Sequence, residues 1–178
     1  MKKFIVCLLI VVFIGIGTPV LADDLTPQDL VRLQQIDPRY KYISDSNLDI
    51  FTFFDTKTIK LTYNKELNDQ VIDVWIYEFY TTKGINDFIA KWSKIDSNKD
   101  YSKFDHSMFH WLFCKDKLYT LSTFYYSNDS VLDSTTFPDD TCYDIIPGTI
   151  GEIIANAIKD YMKPKPQVKP KSATKKKK

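Results

Sequence analysis

One stretch limits the fold more than any other: residues 102–126, two long aromatic runs around a tight turn. Lys103–Cys114 reads KFDHSMFHWLFC and Leu118–Tyr126 reads LYTLSTFYY, with Lys115-Asp116-Lys117 between them. Aromatic and β-branched side chains suit a pleated, half-buried surface, so the two runs read as paired antiparallel strands. A hairpin this apolar cannot stand alone. It needs further strands beside it and a covering layer on at least one face.

Shorter elements precede it. Thr26-Pro27-Gln28-Asp29 has the chemistry of a helix start, with a capping hydroxyl, proline at the first position and an acid near the positive end. That helix stops before Asp37-Pro38. Arg39–Ser44, Leu48–Phe54 and Thr58–Tyr63 read as strands separated by polar turns, and the third alternates apolar and polar residues. Gln70–Thr81 is apolar on both faces, which predicts a central strand covered on both sides. Ile85, Phe88, Ile89 and Trp92 make one stripe of a short helix. Ser127–Ser130 is a turn, and Val131-Leu132 a short strand. Ile150, Ile153, Ile154, Ala157, Ile158 and Tyr161 form the stripe of a C-terminal helix, for which Thr149 and Glu152 fit a capping box. The fold class that follows is α+β, an antiparallel sheet with the C-terminal helix packed on one face.

The chain has 178 residues, the size of one domain, and a net charge of +1. That balance hides an asymmetry. Residues 163–178 hold eight lysines and no acid, and residues 1–22 hold two lysines and no acid. Residues 23–162 therefore keep 14 basic against 23 acidic residues, a net of −9. An acidic body argues against a nucleic-acid-binding fold. Met1-Lys2-Lys3, the apolar run Phe4–Ile16 and Val20-Leu21-Ala22 have the layout of a secretory signal peptide cleaved before Asp23. The alternative is an uncleaved membrane anchor. Residues 23–162 are then the folded domain. Residues 163–178 (KPKPQVKPKSATKKKK) read as an extended basic tail suited to anionic surfaces.

Export leaves two cysteines, Cys114 and Cys142, and an even count in an exported chain suggests a disulfide. On a chain-entropy model it is worth about 3.5 kcal/mol. Two buried free thiols are the alternative. With the turn at Asp116-Lys117, alternation puts Met108, His110, Leu112, Cys114, Tyr119, Leu121 and Tyr125 on one face of the hairpin. Phe109, Trp111, Phe113 and Phe124 fall on the other, and a slip of one residue exchanges partners. A Cys114–Cys142 bridge pins the C-terminal helix over the first face. That leaves Phe109, Trp111, Phe113 and Phe124 as a candidate interaction face, covered either by the helix around Phe88 or by a partner molecule.

No motif points to catalysis or a cofactor. The chain has no G-x-S-x-G, no Walker-type loop, no H-E-x-x-H and no C-x-x-C. His106 and His110 share a strand face but sit roughly 13 Å apart, too far for one metal ion. Asp139-Asp140 follows Pro138 in a turn, where aspartate is favoured for its own reasons.

Three stretches resemble the surface-adhesin protein E-like domain of small secreted bacterial envelope proteins: Asp37–Tyr40 with Phe54-Asp55 and Thr58-Ile59; Val71–Trp75; and Tyr125–Asn128 through Ile145–Glu152. The resemblance spans residues 37–162. It implies an antiparallel sheet of about six strands, with a C-terminal helix tethered by a disulfide to the concave face. The adhesin that names the family binds host matrix proteins such as vitronectin and laminin. The expected function is a non-enzymatic, adhesin-like binding module whose partner is a host matrix or envelope protein, or a second copy. An envelope structural or stress-related protein is the alternative.

Overall fold

The computed structural model describes residues 25–46, 49–128, 130–138 and 141–164. The proposed signal peptide, Asp139-Asp140 and all of the tail beyond Pro164 lie outside the described residues. The fold is α+β, with helices α1 (Pro27–Gln34), α2 (Thr82–Ile95) and α3 (Ile150–Met162) around one antiparallel sheet. Its strands are β1 (Tyr40–Ser46), β2 (Ile50–Asp55), β3 (Lys60–Asn64), β4 (Asp69–Tyr80), β5 (His106–Cys114), β6 (Lys117–Ser127), β7 (Ser130–Thr136) and β8 (Cys142–Asp144).

The strand order is β1-β2-β4-β5-β6-β7. The two remaining strands do not widen the sheet. β2 pairs with residues 76–80 of β4 and β3 with residues 69–73, so β2 and β3 lie end to end along one side of β4. β7 and β8 divide β6 in the same way. Eight strands thus make a sheet six columns wide. β4, apolar on both faces, is central.

Cross-strand pairs point to the same face, so the register sorts every side chain. α2 and α3 both lie on one face. Ile154, Ala155 and Ile158 of α3 pack on Phe54, Val74, Ile76 and Phe113. Phe88 of α2 joins Tyr80, Tyr101 and Phe104. α1 takes the opposite face, where Leu33 packs with Phe51, Phe53 and Phe79.

Three expectations need correction here. First, the C-terminal helix lies over Phe109, Trp111 and Phe113, not over the Cys114 face. Phe113 is only 3% exposed, and Phe109 and Trp111 pack against the same core. These residues are core and not a free interaction face. Second, Phe124 does not share their face. The register shifts between His110 and Trp111, where Leu121 is an extra residue in β6, so Phe124 pairs with Met108 on the other side. A bulge of one residue reverses the alternation that follows it. Third, Cys114 and Cys142 are free, one buried and one exposed. Cys114 pairs with Lys117 and Cys142 with Tyr119, so the two flank β6 from opposite sides. Two strand spacings are roughly 9.5 Å, beyond the Cα separation of a disulfide.

The capping box at α3 is also not formed. The Thr149 hydroxyl donates to the Ile146 carbonyl, and Glu152 accepts from the Gly148 N–H at 2.7 Å. At α1 the box is complete: Thr26 accepts from the Asp29 N–H at 3.1 Å, and Asp29 accepts from the Thr26 N–H at 3.2 Å.

Candidate functional site

The face opposite α2 and α3 carries an aromatic floor. Alternate residues of β4, β5 and β6 build it: Trp75 and Tyr77, His106 and His110, then Phe124 and Tyr126. Each is partly exposed. Four of the rings form two near-parallel stacks. Trp75 stacks on His110 with centroids 4.7 Å apart and planes 4° apart, and His106 stacks on Tyr126 at 4.7 Å and 3°. Phe124 bridges the two stacks, 5.7 Å from Trp75 and 6.4 Å from Tyr126. Stacking shields the rings from one another, and Tyr77 is also stacked on Tyr40 with centroids 4.9 Å apart. Among the described residues, α1 borders the floor at Tyr77 and His106, which share a groove with Arg32 and Ile36.

Charged groups hold the floor in place. Asp73 accepts from His110 Nε2 at 2.8 Å and pairs with Lys60 at 3.1 Å. Asp105 lies 3.0 Å from His106 Nδ1 and 2.5 Å from an Arg32 nitrogen. The hydrogen bond with His106 draws the Asp105 pKa down. Burial opposes this, but the Arg32 guanidinium adds to it, and Asp105 stays below the usual carboxylate range. Each histidine is thus tied to its own aspartate, and none of the described residues forms a group of three or more metal-ligating side chains.

At its α1 end the floor runs into a groove of about 700 Å³, lined by Gln28, Arg32, Ile36, Tyr77, Asp105 and His106 among others. Here the protein covers its own aromatic rings with cations. The Arg32 guanidinium sits 4.6 Å above the Phe79 ring, and that of Arg39 sits 4.6 Å above Tyr40. A guanidinium over a ring face is attracted by the ring quadrupole.

Sequence alternation placed Phe124 on the wrong side and missed Trp75 and Tyr77 as neighbours of the histidines. The both-faces-apolar pattern of Gln70–Thr81 marked β4 as central, but it did not show which helices each face takes. No protein-family model, curated protein or solved structure matches the chain.

Proposed function

We propose that this protein is an exported, non-enzymatic binding module, adhesin-like in kind, that engages a protein partner through the aromatic floor around Trp75, His110 and Phe124. The observation that carries the reading is the floor itself: six partly exposed rings on adjacent central strands, four of them in two near-parallel stacks with Phe124 tilted beside Trp75. Accessible aromatic clusters of this kind serve as anchors in protein interfaces. The floor has acids at Asp73 and Asp105, and the body is acidic. Arg32 and Arg39 already pack on rings of the same face. The partner segment that fits carries arginine or lysine side chains. The signal-peptide pattern and the resemblance to the surface-adhesin protein E-like domain support export and a matrix-binding role.

The test is surface plasmon resonance of residues 23–178 over immobilised vitronectin and laminin. Saturable binding is expected, and Trp75→Ser with Phe124→Ser should weaken it by more than about tenfold. No binding to either protein, or a folded double variant that binds undiminished, overturns the reading.

A second reading, an envelope structural protein bound to other envelope components, is favoured by a different surface. Tyr143 and Ile146 are 57% and 59% exposed just before α3, and Ile150 and Ile153 are each 48% exposed in its first turns. If that apolar group is the contact, Ile150→Lys with Ile153→Lys abolishes the interaction and the floor variants leave it intact.

A further inference from the structure

α3 buries only part of its apolar surface. Ile154, Ala155 and Ile158 pack on Phe54, Val74, Ile76 and Phe113. Ile150, Ile153 and Tyr161, at i, i+3 and i+11 on the neighbouring flank of the helix, stay exposed. Tyr143 and Ile146, just ahead of the helix, are exposed with them. The sheet adds to this surface. Its end row sets Leu61, Ile72, Phe113, Leu118 and Tyr143 side by side across five strands. The row is buried at its middle, Phe113, and open at both ends, Leu61 and Tyr143.

The carboxylates next to these residues are already held. Asp144, beside Tyr143, is paired with Lys117, and Glu152, between Ile150 and Ile153, accepts from the Gly148 N–H at 2.7 Å. Positive charge comes from the chain that leaves the same helix. Residues 163–178 follow α3 directly and hold eight lysines and no acid. Fully extended, sixteen residues span about 50 Å, whereas α3 is about 20 Å long, so the lysines can reach any surface on which this flank of the helix lies.

We propose that this flank of α3 docks on the surface of an anionic lipid bilayer, with Tyr143, Ile146, Ile150 and Ile153 in the headgroup–acyl boundary and residues 163–178 against the headgroups. Isoleucine and tyrosine suit that boundary: their apolar bodies leave water, and the tyrosine hydroxyl stays among polar groups. A lysine run without acids is drawn by the negative surface potential of the leaflet. It is also needed, because residues 23–162 carry a net of −9 and are repelled by such a surface on their own. Neither contribution suffices alone, and stable attachment takes the two together. The proposal rests on the apolar group of the second reading and gives it a lipid as its occupant. It is independent of the aromatic floor, which lies on the other face of the sheet.

The test is co-sedimentation of residues 23–178, which span every described element, with vesicles of equal parts phosphatidylcholine and phosphatidylglycerol at low salt. Saturable binding is expected. Ile150→Ser with Ile153→Ser, and separately removal of residues 165–178, should each weaken it by about tenfold or more, and vesicles of phosphatidylcholine alone should be bound at least as weakly. A polarity-sensitive fluorophore on the exposed Cys142, next to Tyr143, should shift to the blue on binding. Trp75→Ser with Phe124→Ser should leave vesicle binding unchanged. No binding to the anionic vesicles, undiminished binding by the folded isoleucine variant, or an unshifted label overturns the proposal. Self-association that needs the two isoleucines in the absence of lipid overturns it as well, in favour of a second copy. Failure with vesicles alongside an isoleucine-dependent contact with an envelope protein overturns the lipid occupant and leaves the second reading standing.

Discussion

Asp29 Oδ1 of α1 accepts from the Thr82 backbone N–H at 2.7 Å and from the Thr82 hydroxyl at 2.9 Å, so a side chain from the helix on one face of the sheet caps the helix on the other. The same carboxylate closes the capping box with Thr26, and it is 2% exposed. Burial pushes its pKa up, but the hydrogen bonds from Thr26 and Thr82 outweigh burial and leave it below the ordinary value. Asp29→Ala strands several buried donors at once and should cost about 3 kcal/mol or more in urea unfolding at neutral pH. A depressed folded pKa gives stability that is present above the unfolded value and lost as pH falls through the folded one. The gap between native and Asp29→Ala proteins should therefore close in acid, below about pH 4.

Gly84 gives a substitution whose sign reverses the helix-propensity rule. It lies in the first turn of α2, where alanine normally gains about 1 kcal/mol over glycine. A Cβ here would stand 2.4 Å from the Asp49 carbonyl oxygen, which is held in place because it accepts from the Thr81 N–H at 2.9 Å. Backbone cannot yield as a flexible side chain does. Gly84→Ala should destabilise by about 1–3 kcal/mol, read from the denaturation midpoint at unchanged slope.

Glu78 should behave in the opposite way to Asp29. Burial raises its pKa, and the Tyr80 hydrogen bond only partly offsets that. A raised folded pKa means that ionisation opposes folding: stability is full below the unfolded value and declines as pH rises through the folded one. Glu78→Gln should raise the thermal midpoint by a few degrees at pH 7 and have little effect near pH 3.5, where the native carboxyl is protonated in both states. A loss of stability at pH 7 would mean that the charge is compensated.

Much of the architecture was legible because it rests on local chemistry. The period of two in Thr58–Tyr63, the doubly apolar Gln70–Thr81 and the isoleucine stripe of α3 each fix an element from its own residues. The choice of face was not legible. It depends on where β6 carries its extra residue. One residue, Leu121, decides whether Phe124 joins Phe109 or Trp75, and the alternation in LYTLSTFYY is equally regular under either register. The helix assignment follows the same logic. The period of α3 shows that it must cover a sheet face, but two apolar faces were on offer, and packing against Val74, Ile76 and Phe113 selected one. The polar row Ser44, Thr52, Glu78, Ser107 and Tyr125 is a purely non-local feature. Its five residues are scattered over 82 positions, from Ser44 to Tyr125, and only strand pairing sets them side by side.

The cysteines give the last contrast. Cys114 ends β5 in a buried cluster with Val71 and Leu112, and burial pushes its thiol pKa up. Cys142 is exposed at the start of the three-residue β8, with β6 and Tyr119 between the two sulfurs. In the native protein a maleimide should therefore label Cys142 readily and Cys114 hardly at all, since the thiolate is the reacting species and Cys114 is both shielded and less ionised. Unfolding in urea without reductant should expose the second thiol and bring labelling of these two positions to completion. Cys114→Ala removes little volume next to Val71 and should cost about 1 kcal/mol, well short of the 2–5 kcal/mol that follows loss of a native disulfide. Intact mass 2 Da below the dithiol form, with neither cysteine labelled after unfolding, would establish a bridge. It would also require β8 to leave its pairing with Lys117–Tyr119.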